Sequence, residues 1–171
     1  IQDSLVGSEM CIRDRMKNSK KILFFLCTIP VIAILIYSTE SKIMPKEIIS
    51  TTNAPQAIGP YSQAVKTNNL MFISGQIPMD PTTGNLVEGS IEDEANQVLK
   101  NLKSICEAAG YSLDDAVKIT IFLTDLGNFA VVNDVMKEHF SEPYPARATV
   151  EVSGLPLGVK IEIEAIISTD G

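Results

Sequence analysis

SIEDEANQVLKNLKSICEAAGYSLDDAVKITIFLT, residues 90–124, changes its apolar period once, and that change decides the fold class. In its first part Ile91, Ala95, Val98, Leu99, Leu102, Ile105, Cys106 and Ala109 recur three and four residues apart, the spacing of one buried helix face. Ser90 stands where an N-cap belongs, and Glu92, Asp93 and Glu94 fill the first turn, where the helix dipole favours acids. Gly110 supplies the stop. Cys106 lies within the stripe and is expected as a small core residue rather than a reactive thiol. In the last part Val117, Ile119, Ile121 and Leu123 alternate with Lys118, Thr120, Phe122 and Thr124, which is the period of a strand.

Toward the N-terminus, Tyr61–Thr67 and Leu70–Gly75 flank Asn68-Asn69, and asparagine accepts the positive φ of a hairpin turn. Pro78, Pro81 and Gly84 mark a loop. Toward the C-terminus, Gly127 to Phe140 predicts a second helix with Phe129, Met136 and Phe140 on its packed side. Asn133 falls on that side, whereas His139 lies off it, in solvent. Arg147–Val152 and Val159–Ile167 predict two final strands around a loop with Gly154, Pro156 and Gly158. The order is β-β-α-β-α-β-β, an α+β fold with two helices on one face of a mixed sheet.

The chain has 171 residues and a net charge of −7. Residues 44–171 hold eight basic and seventeen acidic side chains, a charge of −9 that argues against nucleic-acid binding. Val6–Arg15 resembles translated sequencing-adapter read-through, and residues 1–15 are expected to be a non-native leader. Residues 16–43 are basic and then apolar; Ile22–Ser38 is about seventeen residues long, at the short limit for a transmembrane helix. This segment is either a signal anchor that exports or tethers the chain, or upstream sequence translated from a wrong start. In the second case residues 44–171 form a cytoplasmic domain. Cys11, Cys27 and Cys106 lie far apart and His139 is the single histidine, so ligands for a metal are scarce.

Chemistry is therefore expected from carboxylates, arginine, hydroxyls, amides and backbone groups. Arg147, Thr149 and Glu151 share one strand face, and Lys160, Glu162 and Glu164 share another. Pairing Val152 with Val159 would set Thr149 opposite Glu162 and Arg147 opposite Glu164, on one patch. Such a patch is either a solvated, salt-bridged face or, with Phe122 beside it, a face covered by another subunit that grips a small acidic ligand. Asn133, Gly59-Pro60-Tyr61 and Ser74-Gly75-Gln76 each have a structural reading, as a satisfied amide and as turns or strand ends, beside a functional one.

Asn53-Ala54-Pro55, Ala57-Ile58-Gly59-Pro60-Tyr61-Ser62-Gln63, Ile73-Ser74-Gly75-Gln76-Ile77-Pro78, Pro145-Ala146-Arg147 and Ile161-Glu162-Ile163-Glu164-Ala165 occur in that order. Together they resemble the Rid/YjgF family of reactive-intermediate (2-iminobutanoate/2-iminopropanoate) deaminases, over nearly all of residues 44–167. The resemblance implies a chorismate-mutase-like fold, a homotrimer with sites between subunits, and no cofactor or metal. It implies hydrolysis of enamines and imines such as 2-aminoacrylate, released by pyridoxal-phosphate enzymes, to 2-oxo acids and ammonia. Arg147 is the expected grip on the substrate carboxylate and Glu162 the group that orients or deprotonates water, with Tyr61 at the pocket. Asn133, Ser74, Gly75 and Thr149 are expected to line it. Thr149 stands where several family members have cysteine, so a thiol mechanism has no support there. Relatives described as ribonucleases or translation inhibitors, and a non-catalytic binding or chaperone-like trimer, supply the alternative functions.

Overall fold

Ser90 caps the longer helix, α1 (Ile91–Ala108), by accepting from the Asp93 amide while the Asp93 carboxylate accepts from the Ser90 amide at 2.9 Å. Such a cap contributes about 1 kcal/mol. The bonds from Ser90 also hold the Asp93 carboxyl below its ordinary value. The computed structural model describes residues 45–170. The expectations for 1–15 and 16–43, including the apolar run, lie outside these residues. Among the described residues no helix is long and apolar enough to cross a membrane.

Six strands form one sheet: β1 (Glu47–Ile49), β2 (Ala64–Thr67), β3 (Leu70–Gln76), β4 (Ala116–Leu123), β5 (Ala146–Glu151) and β6 (Ile161–Ser168). Their order is β1-β2-β3-β6-β4-β5; β4 and β5 run parallel and every other pair is antiparallel. The mixed sheet and two helices match the expected α+β fold, with β1 as an added short strand. The hairpin closes as predicted, with Thr67 opposite Leu70 and Asn68 at φ 52.

One face of the sheet is the core wall. Met71, Ile73, Ile119, Ile121, Leu123, Ile161, Ile163 and Ile167 are buried there under α1 and the second helix, α2 (Phe129–His139). From α1 come Ala95, Val98, Leu99, Leu102, Ile105 and Cys106, as the period predicts. Each fully buried leucine or isoleucine of this kind contributes roughly 1.5–3 kcal/mol. Burial pushes the Cys106 thiol up to about 12, which agrees with a core role.

Four local expectations are corrected. Arg147 and Glu164 are not cross-strand partners, because β4 lies between β5 and β6. Val117 is exposed, because a bulge between Ala116 and Lys118 turns it outward and sends Ala116 in. The packed side of α2 is Val132, Val135 and Met136 with Phe140 just beyond; Phe129 is exposed. His139 is part-buried, its Nε2 lies 2.8 Å from Asn96 Oδ1, and burial lowers its imidazole below the ordinary value.

Candidate active site

Within one protomer the expected site residues fall into two groups on opposite faces of the sheet. On β5, Arg147 is level with Ile119 and Thr149 with Ile121, so both take the helix side. On β6, Glu162 is level with Phe122 and takes the open side. The expected single patch is thereby overturned. Strand β4 inserts between β5 and β6, and the helix α2 between β4 and β5 makes their pairing parallel.

The first group lines a cavity of about 780 Å³ on the open side, which holds Tyr61, Ser74, Gly75 and Glu162. Irregular pairing between Ile73 and Gln76 leaves Ser74 and Gly75 out of the ladder with β6. The Glu162 carboxylate fills the place above Gly75 where a side chain would stand: a Cβ there would collide with Oε1 and lie 2.8 Å from the carboxyl carbon. Loss of water around Glu162, and then the charge of Glu164, raise its carboxyl above the ordinary 4.5. Ser74 is less free than expected. Its hydroxyl donates to the Ser62 carbonyl at 2.7 Å and its amide donates to Gln63 O at 3.0 Å, so it fastens the segment that carries Tyr61. The Tyr61 amide turns back onto Gly59 O at 2.8 Å and leaves the ring half-exposed in the cavity wall.

The second group lines a cavity of about 380 Å³ between α2 and the start of β5, which includes Asn133 and Arg147. Arg147 Nη1 donates to Asn133 Oδ1, and its guanidinium lies 5.2 Å from the Phe129 ring centre. Both partners are neutral. Among the described residues no carboxylate forms an ion pair with Arg147, so its charge is oriented but not neutralised. The Thr149 hydroxyl is buried and lacks a hydrogen-bond partner among the described residues. A buried hydroxyl in that state costs free energy until something bonds it. Among the described residues no group of three His, Cys, Asp or Glu side chains is placed to hold a metal ion.

The pattern of the family described as Endoribonuclease L-PSP matches residues 51–169. The chain belongs to this family. It is the Rid/YjgF family whose motifs the sequence carries. A RutC family protein of Pyrococcus horikoshii is 59% identical over 121 residues, 71% of this chain and 96% of its own length. A 2-iminobutanoate/2-iminopropanoate deaminase of Dermatophagoides farinae is 50% identical over 123 residues, 72% of this chain and 96% of its own. The crystal structure of RidA from Psychrobacter sp. PAMC 21119 is 53% identical with a TM-score of 0.69, covering 71% of this chain and 98% of that one.

Two buried amides have anchoring roles that were not read from the sequence. Gln63 donates to the carbonyls of Thr51, Ala54 and Pro55 and accepts from the Thr51 amide, which pins one loop of the larger cavity. Asn101 on α1 donates to Ile77 O and Met79 O at 3.2 and 3.0 Å and pins another. Asn101 carried a signal, a polar residue inside the apolar stripe of α1. Gln63 stood in a quoted motif but had no periodic signal of burial, because its partners lie in a loop of no period.

Proposed function

We propose that the chain hydrolyses 2-imino acids and their enamine tautomers, such as 2-aminoacrylate, to 2-oxo acids and ammonia. The observation that carries this reading is the half-buried Glu162 carboxylate pressed against Gly75 in a cavity wall with no other charged group. A base in that place accepts a proton more readily than an exposed carboxylate does. Relatives that bear the deaminase name are about half identical over most of their length.

The reaction needs a carboxylate grip as well as a base. Arg147 suits the grip, because a planar guanidinium bonds a carboxylate through two parallel donors. Arg147 and Glu162 cannot meet within one protomer, so a second copy supplies the missing half. A homotrimer fits the open face of the sheet, where Ile48, Phe72 and Val150 leave apolar surface exposed. The enamine first tautomerises to the imine. Glu162 then takes a proton from water as its oxygen bonds to the imine carbon. The C=N pair moves to nitrogen, which receives that proton from Glu162; the hydroxyl proton follows through the same carboxylate, the C–N bond breaks, and ammonia leaves as the oxygen becomes the ketone. Arg147 and Asn133 fix the substrate, so addition gains from positioning. The Thr149 hydroxyl finds its partner in the bound substrate or water.

The substrates are small acids released by pyridoxal-phosphate enzymes, and the domain acts in the cytoplasm, where such enzymes work. The family description names an endoribonuclease, but no feature of the site favours RNA cleavage or a non-catalytic role, and a charge of −9 over residues 44–171 opposes the first. The test generates 2-aminoacrylate in situ with a serine dehydratase and times pyruvate release in the presence of the full chain. Acceleration over the spontaneous rate, lost in Arg147→Ala, is expected. A folded trimer that leaves the rate unchanged would overturn the assignment.

A further inference from the structure

Glu94 is a carboxylate in an apolar place. It lies in the first turn of α1, just before the buried Ala95, Val98 and Leu99, and its own chain buries it to 6% exposure. Its partner is Lys160, one residue before β6. Glu94 Oε1 accepts from the Lys160 ammonium at 2.8 Å, and Oε2 accepts from the Lys160 amide at 3.3 Å. A buried ion pair is a poor source of stability, because taking both charges out of water costs about what their attraction returns. The pair therefore calls for a reason besides the core.

The reason lies two residues along the chain. Lys160 precedes Glu162 by two positions, and the strand period would put both side chains on the open side of the sheet. The ammonium instead turns back to α1, where the Gly89 carbonyl at 3.5 Å is its second acceptor. The backbone is held there too. Thr124 donates to the Lys160 carbonyl at 3.1 Å, while the Lys160 amide donates to Glu94. An ammonium loose at this position would stand beside the Glu162 carboxylate and favour its ionised form, which makes a weaker base. The groups that face Glu162 are few. Glu164 comes from the same strand; Thr120, Phe122 and Thr124 of the β4 side and Ser74 and Gly75 of β3 carry no charge. Tyr61 is the one titratable group in the cavity wall besides Glu162. Arg147 of a second copy completes the set.

We propose that Glu94 is a positioning residue for the base: it anchors the start of β6 and holds the Lys160 ammonium on the helix side, away from Glu162. This rests on the deaminase reading and extends it to a residue that touches no substrate.

The test follows the Glu162 carboxyl of the full chain by ¹³C NMR as pH is changed, with kcat/KM for imine hydrolysis measured in parallel. In Glu94→Met the titration midpoint is expected to fall by about one pH unit, the effect of a unit charge brought within a few ångströms of a carboxylate, and kcat to fall about threefold to tenfold. Glu94→Met/Lys160→Met removes the ammonium as well and returns the midpoint to the wild-type value, a rescue that a merely structural role would not give. Glu94→Gln keeps an acceptor for the Lys160 amide and serves where Glu94→Met disturbs the fold; its midpoint moves the same way by less. A midpoint unmoved in correctly folded variants overturns the proposal, and so does a lowered midpoint that the double variant retains. The titration needs no turnover. A wild-type chain that accelerates no imine therefore overturns the deaminase reading, while the titration still decides whether Glu94 governs Glu162.

Discussion

The helix-covered face and the open face of the sheet hold the two proposed halves of the chemistry under different physical control. Arg147, at the edge of the covered face, is set by orientation: a neutral amide and an aromatic ring aim it and leave its charge intact. Glu162, on the open face, is set by environment: loss of water and a neighbouring acid change its proton affinity while Gly75 leaves it room. A cation keeps its charge in almost any surroundings and needs only aim, whereas a carboxylate that must act as a base needs its pKa adjusted. The two requirements are met in different places, and on the proposed reading neither half is a site alone.

The comparison is broken most directly by deleting each half. Arg147→Ala is expected to lower kcat/KM about 10²–10³-fold through lost carboxylate binding. Glu162→Gln is expected to lower kcat about 10²–10⁴-fold with KM little changed, since it removes the base alone. Steady-state kinetics of each folded variant checks both. Mixing the two inactive chains sharpens the point. Random assembly into trimers leaves one intact site in each mixed trimer, so about a quarter of wild-type activity returns. No recovery after verified subunit exchange would rule out a site shared between copies.

Smaller effects separate the controls. Gly75→Ala adds a methyl where the Glu162 carboxylate sits, and the flexible side chain moves aside. The fold survives, and kcat falls about 10²-fold, as expected for a base displaced by about 1 Å. Unchanged kcat in that variant would show that the place above Gly75 is not the working position. Asn133→Ala releases the guanidinium without removing it, so KM rises about fivefold to tenfold and kcat changes less. The smallest effect is in pH. Glu162 must be ionised to accept a proton, so kcat/KM falls on the acid side with a midpoint above 4.5, and Glu164→Gln moves that midpoint down. The same raised value means that the folded state holds the Glu162 proton more tightly than the unfolded chain does. Above the ordinary value the ionised group therefore costs stability, and Glu162→Gln should raise Tm slightly at neutral pH.

What the sequence made legible was local. Ser90 and Gly110 bound α1 through contacts within a few residues, and Asn68 turns the hairpin by its own backbone preference. The order of β4, β5 and β6 was not legible from alternating faces, because period 2 fixes which side a residue takes but not which strand lies next to it. The helix between β4 and β5 did carry a hint, since a crossover helix is how parallel neighbours are joined. The site residues were named by motif, and four of them do share one cavity. Their separation from Arg147 was hidden for the same reason as the strand order.

Cys106 gives the protein a built-in clock. It is the one cysteine in residues 44–171, it has no solvent exposure, and its thiol is pushed up to about 12. Alkylating reagents attack the thiolate, which is scarce at neutral pH and sealed on the inner face of α1. The modification of Cys106 can therefore proceed only as fast as the core opens. Its labelling, followed by mass on the peptide that carries Cys106 and so apart from Cys11 and Cys27, times those openings where the reagent attacks faster than the core recloses, with no engineered probe.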